Sequence, residues 1–235
     1  GSNSTGISSN INGHVWGIGT SDLSTFGDNR SIDTWTFITG EKVEVYTDIT
    51  MMVVDLYTEI DYKIGGRPSS STYGKVGEIV EFTVKAGNKP EYSDVIADPN
   101  KNIKGAPFTF TVPVGVDIIN PENISFTKNC NNETAEESVA MTYDVATRTF
   151  RSELSLSSGC SVTYTFSGVL TGNLGLKTVE STIMRPADVT DVDATNGDLE
   201  TPPSNPHFEC YNNVDDGGTL SCNNIQEATF MLLDD

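Results

Sequence analysis

An all-β fold of sandwich type is predicted by three features of the sequence. Apolar and polar side chains alternate with a period of two, Gly and Asn cluster between the alternating runs, and helical periodicity is scarce. Trp35 and Phe37 form the first clear alternation. Met52, Val54 and Leu56 form the next, running on to Ile60, Tyr62 and Ile64. Val80, Phe82 and Val84 then alternate with Glu81, Thr83 and Lys85, and Phe108, Phe110, Val112 and Val114 with Thr109, Thr111 and Pro113. That spacing turns one set of side chains inward and the other toward water. Val139, Met141, Tyr143 and Val145 before Ala146 and Thr147, with Phe150, Leu154 and Leu156 after them, predict a hairpin. Val162, Tyr164 and Phe166 make a further strand. Gly65 with Gly66, Gly87 with Asn88, Gly115, and Gly172 with Asn173 supply the turns between runs. Residues 186–206 are rich in Asp, Asn, Thr and Pro and poor in apolar side chains, so burial cannot offset the entropy of ordering them; a long loop or linker is expected there.

The charge balance narrows the partners. Against 33 Asp+Glu stand 14 Lys+Arg, a formal net charge of -19, which repels a phosphate backbone and an anionic membrane surface. Nucleic acid is excluded as a partner on this ground. No apolar run approaches the roughly 18 residues a membrane-spanning helix needs. Gly1 and Ser2 have the form of a tag remnant, and the chain stops on the strand-like Met231, Leu232, Leu233, Asp234 and Asp235, so an excised fragment is expected. The four cysteines, Cys130, Cys160, Cys210 and Cys222, form no C-x-x-C pair and have only His14 and His207 beside them, a poor zinc set. Of the three possible pairings the expectation is Cys130 with Cys160 and Cys210 with Cys222, four buried thiols being the alternative. Paired cysteines place the chain in an oxidising compartment, outside the cell or on its surface.

The densest candidate site is acidic. Asp188, Asp191, Asp193, Asn196 and Asp198, followed by Glu200, put several oxygen donors in one loop, the ligand type of a calcium shell of six to eight oxygens. An EF-hand is ruled out, because Asn196 stands where its sixth-position Gly belongs. Calcium bound at residues 188–198 is expected to fix the direction in which the next segment leaves the sandwich; the alternative is a solvated acidic linker. Ser125 and Lys128 spell S-x-x-K, yet the setting is a strand and no S-D-N or K-T-G follows. No G-x-S-x-G turn is present, and 33 acids offer too many pairs to single out a glycosidase dyad. No catalytic residues are therefore expected. Trp16, Trp35 and Tyr46 are the candidates for an aromatic sugar platform, core packing being the alternative. Asn123 with Ser125 and Asn132 with Thr134 match the N-glycosylation pattern, a mark of surface position.

Six ordered segments carry a family resemblance. They are Val53 to Leu56; Gly77 to Thr83; Phe110, Thr111, Val112, Pro113, Val114, Gly115 and Val116; the hairpin from Thr142 to Thr147 with the later Ser158 to Tyr164; and Asp191, Val192, Asp193, Ala194, Thr195 and Asn196. In order and spacing they resemble the bacterial cell-surface repeat known as the domain of unknown function eleven, over roughly residues 51–198. Departures are the insertion at residues 89–104 and the Cys-bearing tail after Glu200. The resemblance implies an immunoglobulin-like β-sandwich over residues 51–187, with β-rich flanks at 1–50 and 188–235, and no catalytic residues. It implies a structural or adhesive module, a stalk or spacer, in a large bacterial surface or secreted protein. Its partners would be neighbouring domains of the same polypeptide and a protein or glycan ligand. A carbohydrate-binding module using exposed aromatics is the alternative.

Overall fold

The structure, a computed structural model, describes the backbone of four N-terminal strands and residues 52–97, 104–130, 140–195, 203–210 and 222–234. The chain divides into two compact units, Gly1–Met51 and Met52–Asp235. In the first, β1 (Ser9–Ile11), β2 (His14–Thr20), β3 (Arg30–Thr36) and β4 (Lys42–Asp48) form an antiparallel sheet in chain order.

The second unit opens with β5 (Met52–Val54), β6 (Leu56–Ile64), β7 (Arg67–Pro68), β8 (Tyr73–Lys75) and β9 (Ile79–Asn88). Then follow β10 (Ala106–Thr111), β11 (Val116–Ile118), β12 (Ser125–Asn129), β13 (Thr142–Asp144), β14 (Thr149–Leu154), β15 (Ser161–Leu170), β16 (Gly175–Ile183) and β17 (Val189–Asp191). A single helical turn, α1 (Pro206–Cys210), precedes the last strand, β18 (Ile225–Leu233). Two sheets of six strands result, in the orders β13-β14-β10-β16-β18-β8 and β11-β15-β9-β6-β7, with β12 on β15 in the second. This second unit is an all-β, immunoglobulin-like sandwich. Among the described residues no helix is long and apolar enough to cross a membrane.

Alternation in the strands becomes the core between the sheets. Val80, Phe82, Val84 and Ala86 of β9 are fully buried while Ile79, Glu81 and Thr83 face out. Phe110 of the first sheet meets Phe166 and Phe82 of the second at ring-centroid distances of 4.6 and 5.5 Å, and Phe108 stacks on Tyr164 at 5.5 Å. Aromatic pairs in such arrangements contribute about 0.5 to 1.5 kcal/mol beyond their burial.

Register sets which strand ends share a pole. Leu56 lies opposite Asn88, Ser161 opposite Gly87, Phe108 opposite Ile183 and Thr182 opposite Ile225. Thr58 N donates to Asn223 O at 3.0 Å, joining the two sheets there. At the other pole Ile64 pairs with Val80 and Gly175 with Leu232, and Gly77 N donates to Leu170 O at 2.7 Å. The chain therefore joins this unit at the first, proximal pole, and its last strand finishes at the second, distal one. Nine-residue strands at roughly 3.3 Å per residue put about 30 Å between the poles.

Two expectations change. The sandwich does not close near residue 187, because β18 inserts between β16 and β8 and buries Phe230 and Leu232 in the common core. Residues 186–206 are also not wholly a linker: β17 pairs in parallel with β5, and α1 is held by a buried ion pair between Arg185 and Glu209 at 2.9 Å. Few apolar side chains are needed for this docking, since hydrogen bonds and an ion pair carry it. Asn205 Oδ1 accepts from the backbone N–H groups of His207 and Phe208, capping the turn. The disulfides join Cys130 to Cys160 and Cys210 to Cys222, with Cα separations of 4.3 and 5.5 Å.

Candidate metal centre

A cluster of three carboxylates, Asp55, Asp191 and Asp193, forms at the proximal pole, where each offers a ligand oxygen within 4.8 Å of the others. Local pairing assembles it. The parallel β5–β17 pair sets Asp191 opposite Val54, the residue just before Asp55, and Val192 N donates to Val54 O at 2.9 Å. Beyond β17 the chain turns on Thr195, whose hydroxyl accepts from Asp191 N and donates to Asp191 O, each at 2.7 Å. That turn brings Asp193 back to the cluster.

Three asparagines frame these carboxylates. Asn88 Oδ1 accepts from Asp55 N at 3.3 Å, Asn223 Nδ2 donates to Asp55 Oδ1 at 3.2 Å, and Asn224 Nδ2 donates to Asp191 Oδ2 at 2.8 Å. Leu56 N also donates to Asp191 Oδ2, at 3.2 Å, and Lys89 Nζ pairs with Asp55 Oδ2 at 2.9 Å. Asp191 is only 1 % exposed, and its other oxygen, Oδ1, has no hydrogen-bond partner. Asp193 Oδ1 and Asn223 Oδ1 are buried and unpartnered as well. Leaving a buried acceptor unsatisfied costs about 1 to 3 kcal/mol, more when the group is charged. Burial pushes the Asp191 carboxyl well above its ordinary range, the neighbouring Asp193 charge adding to the effect. Asp193 is raised in the same way, by burial first and then by the charge of Asp55. Chemically this is a buried, oxygen-only, electron-rich site in which hydrogen-bond donors already hold half of the oxygens.

The structure brings together only part of the expected acidic set. Asp191 and Asp193 belong to the cluster. Asp188 is exposed on a turn with φ 59°, and the cluster does not include it. Asn196 and Asp198 lie outside the described residues. Asp55, Asn223 and Lys89 were missed, for they stand up to 168 residues from their contacts and alternation marks only apolar positions. The cluster sits at the pole where β5 joins the sandwich. Ser125 and Lys128 both lie on β12, opposite Thr165 and Val162; three residues apart in a strand, they face opposite sides. His207 Nε2 lies 3.2 Å from Glu180 Oε2, in an exposed contact. Trp16 and Trp35 are register partners in the first unit, whereas Tyr46 is opposite Ile32.

Comparison with known proteins adds resemblances of shape. No family model matches the chain, and no curated protein matches it in sequence. Among solved structures it is similar to the collagen-binding domain of a Staphylococcus aureus adhesin, with a TM-score of 0.36 and 8% identity over 65% of this chain and 87% of that one. It is similar also to the T6 backbone pilin of serotype M6 Streptococcus pyogenes, with a TM-score of 0.40 and 10% identity over 94% of this chain. That match spans 46% of the pilin. AvmM, which catalyses macrocyclization in alchivemycin A biosynthesis, resembles it with a TM-score of 0.30 and 14% identity, over 80% of this chain and 95% of that one.

Proposed function

We propose that this chain is a structural or adhesive module of a bacterial cell-surface or secreted protein, one that sits in line within a longer polypeptide and bears load along its strands. The observation that carries this reading is the placement of the sandwich's first and last strands. Met52 joins at the proximal pole and Leu233 finishes at the distal one, so a force applied through the chain runs along β6 and β18. Every backbone hydrogen bond between β6 and β9, and between β18 and β16, is then loaded in shear and must fail together with its neighbours. A module whose two ends shared a pole would instead be peeled open one bond at a time. Two disulfides support the extracellular setting. The sequence resemblance to a bacterial surface repeat points the same way, toward neighbouring domains of the same polypeptide as the first partners.

Single-molecule pulling on the full chain, with handles at residues 52 and 233, tests the proposal. One cooperative, high-force rupture of the sandwich is expected. Gradual low-force unravelling along this axis would overturn it.

A further inference from the structure

We propose that Asp55, Asp191 and Asp193 bind a divalent cation, calcium, at the proximal pole of the sandwich. This inference is independent of the surface-module reading. Its first support is spacing: the three carboxylates offer oxygens within 4.8 Å of one another. Oxygens on opposite sides of a calcium ion, each about 2.3 to 2.6 Å from it, stand about 5 Å apart, so one ion reaches all three carboxylates.

The second support is the pattern of satisfied and unsatisfied oxygens. Donors occupy Asp191 Oδ2, Asp55 Oδ1 and Asp55 Oδ2, through Asn224, Asn223 and Lys89. The acceptors left over, Asp191 Oδ1, Asp193 Oδ1 and Asn223 Oδ1, are buried and unpartnered, and Asp191 is 99 % buried. A cation held among the three carboxylates gives the buried Asp191 and Asp193 oxygens a partner without a proton.

Charge and ligand chemistry choose the ion. Three ionised carboxylates and the Lys89 ammonium sum to two negative charges, which one divalent cation neutralises. All donors are oxygens, while structural zinc sites are built on cysteine sulfur and histidine nitrogen, and every cysteine is in a disulfide. Carboxylates from two separate segments make an irregular shell, which calcium tolerates and magnesium, held to an octahedron, does not.

The test uses the full chain freed of metal by chelator. Calorimetric titration with calcium chloride is expected to show one saturable site. Thermal unfolding at a calcium concentration about 100 times the dissociation constant is expected to shift upward by roughly 5 to 10 °C. Asp191→Asn and Asp193→Asn keep shape but remove charge, and each is expected to weaken calcium binding at least about tenfold. Asp188→Asn is expected to leave it unchanged. Should Asp191→Asn fail to fold, by circular dichroism, the half-buried Asp193→Asn carries the same reading. No binding heat together with equal unfolding temperatures in calcium and chelator overturns the site. So does calcium affinity that survives both substitutions, since the ion is then held elsewhere. Magnesium bound in preference to calcium overturns the choice of ion.

Discussion

Glu78 shows how a surface carboxylate becomes part of the fold. Arg67 donates two hydrogen bonds to it, from Nη1 and Nη2, both at 2.8 Å, and Lys75 N donates a third at 2.8 Å. These hold its carboxyl down at about 2, against an ordinary 4.5. A lowered folded-state value means that the pair's contribution is fully present above about pH 4.5 and is lost as pH falls toward 2. Glu78→Gln is therefore expected to be less stable than the parent at pH 7, with the gap closing near pH 2, as read by urea unfolding at both. Gly65 makes room for this pair: its φ is 54°, and a Cβ there would sit 2.8 Å from Glu78 Oε1. Phenylalanines show the opposite dependence on place. Phe166 is fully buried, with rings of Phe110 and Phe150 at 4.6 and 4.9 Å, so Phe166→Ala is expected to remove about 3 to 5 kcal/mol. Phe126 is 43 % exposed, and the same change there should cost less than about 1 kcal/mol by the same denaturation measurement. Alternation within each strand separates inward from outward positions, but depth depends on what lies across the sheet.

At the scale of elements, the tail is the instructive case. β18 has the alternation of an ordinary strand, with Phe230 and Leu232 buried and Met231 and Leu233 exposed. The sequence showed a strand-like apolar run there, but not its place between β16 and β8, because period two is the same for any partner strand. The chain on its way to that slot is held by the Arg185–Glu209 ion pair, the Asn205 cap and the covalent Cys210–Cys222 disulfide. The sequence separations of the two disulfides are 12 and 30 residues, for which chain entropy in the unfolded state gives about 3 and about 3.5 kcal/mol. Replacing Cys210 and Cys222 together by Ser is expected to lower stability by about 3 kcal/mol while the β spectrum persists. Guanidinium unfolding and circular dichroism read both quantities. Cys130–Cys160 ties the end of β12 to the start of β15, next to the strand on which Cys160 O accepts from Asn88 N at 3.0 Å. Its loss is expected to cost slightly more, as its loop is longer.

For the whole molecule, topology makes resistance to an applied force depend on its direction. Both disulfides, the acidic cluster and the buried Arg185 lie toward the proximal pole, in the loops that join strand ends there. The distal pole is closed by backbone hydrogen bonds, among them Val76 N to Leu233 O at 3.2 Å. Pulling between residues 52 and 233 is expected to require more force than pulling across the sheets, from an exposed position on β13 to one on β7, where pairs open one after another. Equal forces along the two axes would remove the mechanical argument.

What the sequence by itself determined is whatever depends on local pattern: the all-β class, the run of most strands, the hairpin around Ala146 and Thr147, and the absence of a membrane-length apolar helix. A strand's side-chain period is a property of its own backbone, so it can be read without knowing the partner. Two members of the acidic cluster, Asp191 and Asp193, were visible in the same way, as acids two residues apart in one segment. Tertiary structure alone decided which strands pair, that the final strand belongs inside the sandwich, and that Asp55 and Asn223 stand beside Asp191 and Asp193. The reason is physical. The parallel β5–β17 pairing brings together residues more than 130 positions apart through backbone hydrogen bonds, and a backbone bond leaves no mark in the side chains that a sequence records.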